Sequence, residues 1–178
     1  DKYDLDIKIV KNENNIFEVD GSFLIDDDDY PIDLNVKSKN FDIKPFSAIG
    51  ENVLQNFEGY FNSKFKVSGT FFEPFFDGYI KANNSSFDVP YLGVRYAFPS
   101  NPSFKLNGMS IYISNFKLQD SSKKTEGILT GQINHKRLKD WFLDFNITSD
   151  NLLAINTTVD ENDVYYGLGM FNGSATFY

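Results

Sequence analysis

The sequence predicts an all-β fold, and three observations support this. Apolar and polar residues alternate with a period of two along most of the 178 residues, a pattern typical of strands with one apolar and one polar face. Aromatic residues make up 17% of the chain, with 19 Phe and 10 Tyr, and they favour pleated, half-buried strands over helices. Turn-forming residues separate the alternating segments at the spacing of a β-meander. We therefore expect one β unit over residues 1–178, long enough to build a core.

The strands follow from the alternation in chain order. The apolar positions of one parity are, segment by segment, Leu5, Ile7 and Ile9; Phe17, Val19, Phe23 and Ile25; Ile32, Leu34 and Val36; Phe61, Phe65, Val67 and Phe71; Ile111 and Ile113; Leu129 and Ile133; and Leu143, Phe145 and Ile147. Turn signals fall at residues 26–31, 83–86, 99–102, 119–125, 149–151 and 160–163. Residues 46–57 follow Pro45 with helical apolar spacing, which predicts a short amphipathic helix. We expect at most one or two short helices in the chain.

Glycines inside the predicted strands leave two architectures open. Gly interrupts the alternation at Gly21, Gly69, Gly78, Gly131, Gly167, Gly169 and Gly173. Interior glycines allow a sheet to bulge, bend or curl over itself, and they also occur at the corners of ordinary β-sandwiches. The alternation alone favours a closed sandwich core over an open, curved antiparallel or mixed sheet.

Composition narrows the function classes. The net charge of −8 disfavours nucleic acid, which needs clustered Lys and Arg, and nonspecific docking on anionic lipid headgroups. No Cys is present, which excludes disulfides and thiolate metal sites, and no apolar run approaches the roughly 18 residues of a transmembrane segment. The chain begins at Asp1 and stops at Tyr178 within an alternating pattern. We expect it to be a segment of a longer secreted or cell-envelope protein.

No residue pattern indicates catalysis, a metal or a cofactor, and we expect no enzyme activity. His135, the single histidine, lies beside Lys136 and Arg137. Residues 135–140 are expected to form a connection or a single turn, in which His135 is exposed to solvent. The acidic run at residues 26–29 is interpreted as a solvated hairpin turn rather than a Ca²⁺ loop, because it lacks the spaced ligands and the Gly of an EF-hand. Trp141 alternates with Leu143 and Phe145, which favours a packed role over a sugar-stacking one.

The most specific stretch covers residues 57–96. Its skeleton consists of Gly59, Ser68, Gly69, Thr70, Pro74, Gly78 and Ile80. This resembles the repeated strand-turn-strand unit of the TamB family, the AsmA-like translocation and assembly module proteins of Gram-negative bacteria. Residues 143–158 and 163–177 look like the C-terminal part of TamB-like proteins from Bacteroidetes-type bacteria. Together the matches cover most of residues 41–178.

The resemblance implies a fold, a location and a function. The fold would be a long sheet curled into a β-taco groove with an apolar interior. The protein would be anchored in the inner membrane outside this segment, would cross the periplasm, and would work with an Omp85-class outer-membrane barrel. The implied activity is phospholipid transport between the membranes or assistance to outer-membrane protein and autotransporter assembly, so the expected ligand is an acyl chain.

The groove interpretation selects a set of lining residues by their shared parity. They are Phe61, Phe65, Val67, Phe71, Ile80, Ile111, Ile113, Leu129, Ile133, Leu143, Phe145 and Ile147. The alternative function is an extracellular adhesin or carbohydrate-binding β-sandwich, in which the same residues would fill a closed core and an aromatic platform would face outwards.

Overall fold

The computed structural model describes residues 1–25, 31–44, 54–137, 140–160 and 164–178. These residues form one antiparallel sheet of eleven strands, which confirms the predicted all-β class. The strands are β1 (Lys2–Asn12), β2 (Asn15–Leu24), β3 (Ile32–Asp42), β4 (Gln55–Gly69), β5 (Pro74–Val89), β6 (Val94–Ala97), β7 (Ser103–Gly108), β8 (Ser110–Asp120), β9 (Glu126–Lys136), β10 (Asp140–Thr157) and β11 (Gly167–Phe177). The 3₁₀ turn Pro90–Leu92 connects β5 to β6.

The topology consists of two meanders joined through the middle of the sheet. Strands β1 to β5 pair in sequence order, and so do β8 to β11. Between β5 and β8, the short strands β6 and β7 lie end to end in the same position of the sheet, which we call their shared track. Strand β6 pairs with residues 86–89 of β5, and β7 pairs with residues 76–81. Both short strands also pair with β8. The described strands therefore form an open sheet with β1 and β11 at its ends.

The register places side chains of one parity on one face. A row of directly opposed residues runs across nine strands: Ile7, Val19, Val36, Phe65, Gly78, Leu106, Ile111, Ile133 and Leu143. The side chains of the adjacent row project from the other side of the sheet. This row consists of Lys8, Glu18, Lys37, Lys64, Tyr79, Lys105, Tyr112, Gln132 and Asp144. We call the side of the first row the apolar face and the side of the second row the polar face. Since side chains alternate strictly in a strand, the sequence pattern and the register agree.

A packed core lies where β6, β8 and β10 come together. Its buried members are Val94, Tyr96, Leu118, Leu152 and Leu153. The Tyr96 hydroxyl donates a hydrogen bond to the Leu153 carbonyl at 2.7 Å, which satisfies both buried groups. Strand β10 reaches this core through register shifts between residues 149 and 155. Close packing of the kind expected in a sandwich is thus present at this corner of the sheet.

Three local predictions differ from the structure. The turns predicted at residues 83–86 and 149–151 lie inside β5 and β10. At these residues β5 changes its partner strand and β10 shifts its register, so the turn-favouring residues are accommodated without ending either strand. Most of the helix predicted over residues 46–57 lies outside the described residues, but its last residues begin β4. Phe57 lies in β4, so the helical prediction for this residue is wrong, and its ring packs beside that of Phe87 on β5 at 6.2 Å.

Candidate functional site

Eleven of the twelve predicted lining residues lie on the apolar face. Phe65, Ile111, Ile133 and Leu143 belong to the nine-strand row. The others occupy rows of the same orientation: Phe61, Val67, Ile80, Ile113, Leu129, Phe145 and Ile147. The structure therefore brings together residues that are up to 86 positions apart, from Phe61 to Ile147.

Phe71 is the exception, because it is not in a strand. Strand β4 ends at Gly69, whose φ of 88° suits glycine and disfavours other residues. The next residues form a turn in which the Thr70 hydroxyl accepts a hydrogen bond from the Glu73 amide at 2.9 Å. Phe71 sits in this turn and is 71% exposed. The prediction that it shares the strand parity of Phe65 is wrong.

Much of the apolar face remains accessible. Of the eleven lining residues on this face, only Phe61, Val67 and Ile113 are buried, and Leu143 is 46% exposed. The other seven are half-buried. At the β1 end of the sheet, Ile7 and Ile9 are also exposed. Singly exposed apolar residues are ordinary, but a contiguous apolar surface is typical of a binding site.

A pocket lies at the end of the sheet that carries the β4–β5 turn. It has a volume of about 390 Å³ and is lined by Leu5, Phe23, Leu24, Ile25, Ile32, Leu34, Phe71 and Phe72. Every lining residue is apolar. The volume falls within the range of about 300–1,000 Å³ found for small-molecule sites. Phe71, which was predicted to lie in a strand, thus lines this pocket and does not belong to the rows of the apolar face.

His135 contradicts the prediction of an exposed connection. It is the penultimate residue of β9, and it is 4% exposed. Its ring packs against Phe76 at 5.4 Å and against Trp141 at 5.5 Å. Its parity is that of Ile133, so the alternation in β9 carried the correct signal and the neighbouring Lys136 and Arg137 obscured it. Burial lowers the pKa of His135 below its ordinary value.

The polar face carries opposite charges on neighbouring strands. Lys8 of β1 and Glu18 of β2 form an ion pair at 2.6 Å, and the hydrogen bond and charge of Glu18 raise the pKa of Lys8. Lys66 pairs with Asp33 at 3.0 Å. Cross-strand pairs of this kind favour the observed register, and exposed pairs add little further stability. The polar face therefore has the properties of a solvated surface.

Asp120 is a fully buried carboxylate that sequence reasoning did not single out. It ends β8 and accepts hydrogen bonds from the backbone amides of Ser122, Lys123 and Thr125, at 3.0, 2.7 and 2.6 Å. The hydroxyls of Ser122 and Thr125 donate to it as well. Burial alone would raise the pKa of Asp120, but these hydrogen bonds, with Thr125 foremost, lower it to about 2. The charged side chain therefore organises the β8–β9 turn.

Comparison with protein-family models, curated proteins and solved structures gives no match. The resemblance to the TamB family accordingly stays a prediction from the sequence. Within the described residues, no helix has the length and apolar character needed to span a membrane. The same residues contain no cluster of three or more His, Asp or Glu side chains arranged to hold a metal ion.

Proposed function

We propose that this chain is a section of an apolar β-groove that shields acyl chains and conducts phospholipid between the inner and outer membranes. In this proposal it belongs to a TamB-like protein of a Gram-negative envelope and acts with an Omp85-class barrel. The observation that carries the proposal is the nine-strand row of apolar residues and glycine on one face. The half-exposed state of many of these side chains favours a surface that takes up a ligand.

Contacts between strands that are not neighbours support a curled sheet. Strands β7 and β8 separate β5 from β9 in the hydrogen-bonded order. The rings of Phe76 on β5 and His135 on β9 are nevertheless 5.4 Å apart. At the same end, Arg137 forms an ion pair with Glu73 at 3.3 Å. A flat sheet keeps strands separated by two others more than about 14 Å apart, so these contacts favour a concave apolar face.

Glycine packing supports the same geometry. A Cβ at Gly78 would overlap the backbone of Lys64 and Phe65 on the adjacent strand. Gly78 interrupts the nine-strand row between Phe65 and Leu106, and the absence of a side chain at this position would allow the apolar face to bend there. Interior glycines are a recognised means of introducing sheet curvature.

The mechanism needs no nucleophile, base or metal. Each methylene group moved from water to an apolar surface contributes about 0.8 kcal/mol, so ten of them contribute about 8 kcal/mol. The headgroup would stay in water on the open side. Movement along the face is compatible with this binding, because successive apolar rows offer similar surroundings and none of the described residues on this face would fix the ligand at one place. The pocket beside Phe71 and Phe72 would be one end of this path.

The test compares adjacent residues on opposite faces. Phe65→Asp places a charge on the apolar face, and Lys64→Asp places the same side chain on the polar face one residue earlier. We expect Phe65→Asp to reduce uptake of a phospholipid with a pyrene-labelled acyl chain at least tenfold, since burying a charge beside hydrocarbon is unfavourable. Lys64→Asp should retain uptake. Circular dichroism establishes that both variants are folded.

Crosslinking in cells gives an independent readout. A photoreactive residue at position 65, 111 or 133 should form adducts with phospholipid, and one at position 64 or 66 should not. Adducts confined to Lys64 and Lys66 would show that the lipid contacts the polar face and that the groove assignment is wrong. Equal loss of uptake in Phe65→Asp and Lys64→Asp would also count against it.

A further inference from the structure

The single histidine of the chain occupies an unusual position for a titratable group. Among the described residues, neither ring nitrogen of His135 has a hydrogen-bond partner. The ring is buried between Phe76 of β5 and Trp141 of β10. A neutral imidazole tolerates this position, although it loses two hydrogen bonds to water, whereas an imidazolium would be a buried charge without compensation.

His135 also lies at a junction between two distant turns. The His135–Phe76 contact joins the end of β9 to the start of β5, and the Glu73–Arg137 ion pair joins the two flanking turns at 3.3 Å. Both ion-pair side chains are more than half exposed, so this pair alone is weak. The buried ring contact is therefore the stronger of the two links.

No described charged group is placed to neutralise a protonated His135. The described charged residues within four positions of His135, Phe76, Trp141 or Gly108, the β7 partner of Phe76, are Glu73, Asp77, Lys105, Lys136, Arg137, Asp140 and Asp144. By register, five of them lie on the polar face, opposite to His135: Asp77, Lys105, Lys136, Asp140 and Asp144. Glu73 is already engaged by Arg137. Tyr79 and Tyr112, the nearby tyrosines, also belong to the polar row.

We propose that His135 is a pH-sensitive latch that holds the β4–β5 and β9–β10 ends of the sheet together and releases them in mildly acidic solution. Protonation would drive the ring towards water and separate it from Phe76 and Trp141. Burial lowers the pKa of His135, so protonation favours the open form. The closed form is therefore favoured above pH 6.5, the ordinary pKa of histidine, and is progressively lost as the pH falls below that value. Below pH 6.5, each fall of one pH unit increases the equilibrium constant for opening by up to about tenfold. The consequence for acyl-chain access rests on the proposed function.

The chain contains its own reporter, because its single Trp lies against its single His. Between about pH 8 and about pH 5, we expect the emission of Trp141 to shift to longer wavelength and amide exchange in the β9–β10 end to accelerate. His135→Phe keeps an aromatic ring at the site and should give a flat profile. A wild-type profile identical to that of His135→Phe would overturn the latch. The imidazole NMR signal gives a second test without a variant: an apparent pKa at or above 6.5 would also overturn it.

Uptake of a neutral naphthylamine dye separates the latch from the proposed function. If the latch and the groove are both correct, wild-type protein takes up more dye as the pH falls and His135→Phe does not. A pH-dependent Trp141 signal without dye uptake at any pH supports the latch and contradicts the groove. Dye uptake with a pH-independent Trp141 signal supports the groove and contradicts the latch.

Discussion

Replacement of Asp120 with Asn should destabilise the fold by about 2 kcal/mol at neutral pH. The carboxylate is fully buried and accepts three backbone and two hydroxyl hydrogen bonds. Its pKa falls from 3.8 to about 2, and each unit corresponds to about 1.36 kcal/mol, which gives the stated magnitude. An amide has one acceptor oxygen and turns its NH₂ group towards backbone donors, so the lost stabilisation is not recovered.

The assay is urea unfolding of wild type and Asp120→Asn over a series of pH values. Because folding lowers this pKa, the charged carboxylate stabilises the fold fully above about pH 5, and the effect is lost as the pH falls through about 2. The difference between the proteins should therefore be largest near neutrality and should shrink in acid. Asp144→Asn, an exposed change on the polar face, serves as the matched control and should alter stability by less than about 0.5 kcal/mol.

Two outcomes would refute this reasoning. Equal stability of Asp120→Asn and Asp144→Asn at neutral pH would mean that the hydrogen bonds to Asp120 add nothing to folding. A difference that stays constant down to about pH 2 would mean that the loss comes from altered packing and not from the carboxylate charge.

Two further changes test the packing of the sheet. Tyr96→Phe leaves the buried Leu153 carbonyl without its 2.7 Å hydrogen bond and should lower stability by about 1–2 kcal/mol; an unchanged unfolding midpoint would contradict that role. Gly131→Ala should destabilise the protein more than Gly173→Ala, as measured by thermal unfolding. Both glycines have positive φ, but a Cβ at Gly131 would overlap the backbone of Asp144, and one at Gly173 would meet nothing within 4 Å.

Strand parity was predictable from the sequence because it depends on local geometry alone. Once Phe65 and Ile133 lie in strands, alternation fixes the face of their neighbours. The pairing order also followed the chain through most of the sheet, as expected for short connections. The exception is the shared track of β6 and β7, which no local pattern specifies, because it depends on how β5 divides its length between two partners.

The burial of polar residues was not predictable in the same way. His135 and Asp120 are both buried, yet each follows or precedes polar residues that suggest an exposed turn. Asp120 is buried because the turn folds its amides around the carboxylate, and His135 because its ring packs against Phe76 of β5 and Trp141 of β10. The contacts of His135 with Phe76 exist only in the completed sheet, whereas those of Asp120 are made within its own turn and leave no mark on the alternation of apolar and polar residues. The prediction for Phe71 was wrong for a simpler reason. The turn-forming residues Gly69 and Thr70 were present in the sequence, and β4 ends at Gly69, two residues before Phe71.

The shared track of β6 and β7 gives the chain a connection whose number of residues can change without altering the sheet. The two strands run in the same direction beside β5, and the excursion between them is anchored on both sides: Phe98 donates its amide to Ser85, and Ala82 donates to Pro102. Residues between these anchors, such as the exposed Pro99 and Ser100, lie outside the ladder. Insertions or deletions there would leave the alternation of both halves in phase, so related chains can vary in size at this point while keeping the same apolar surface.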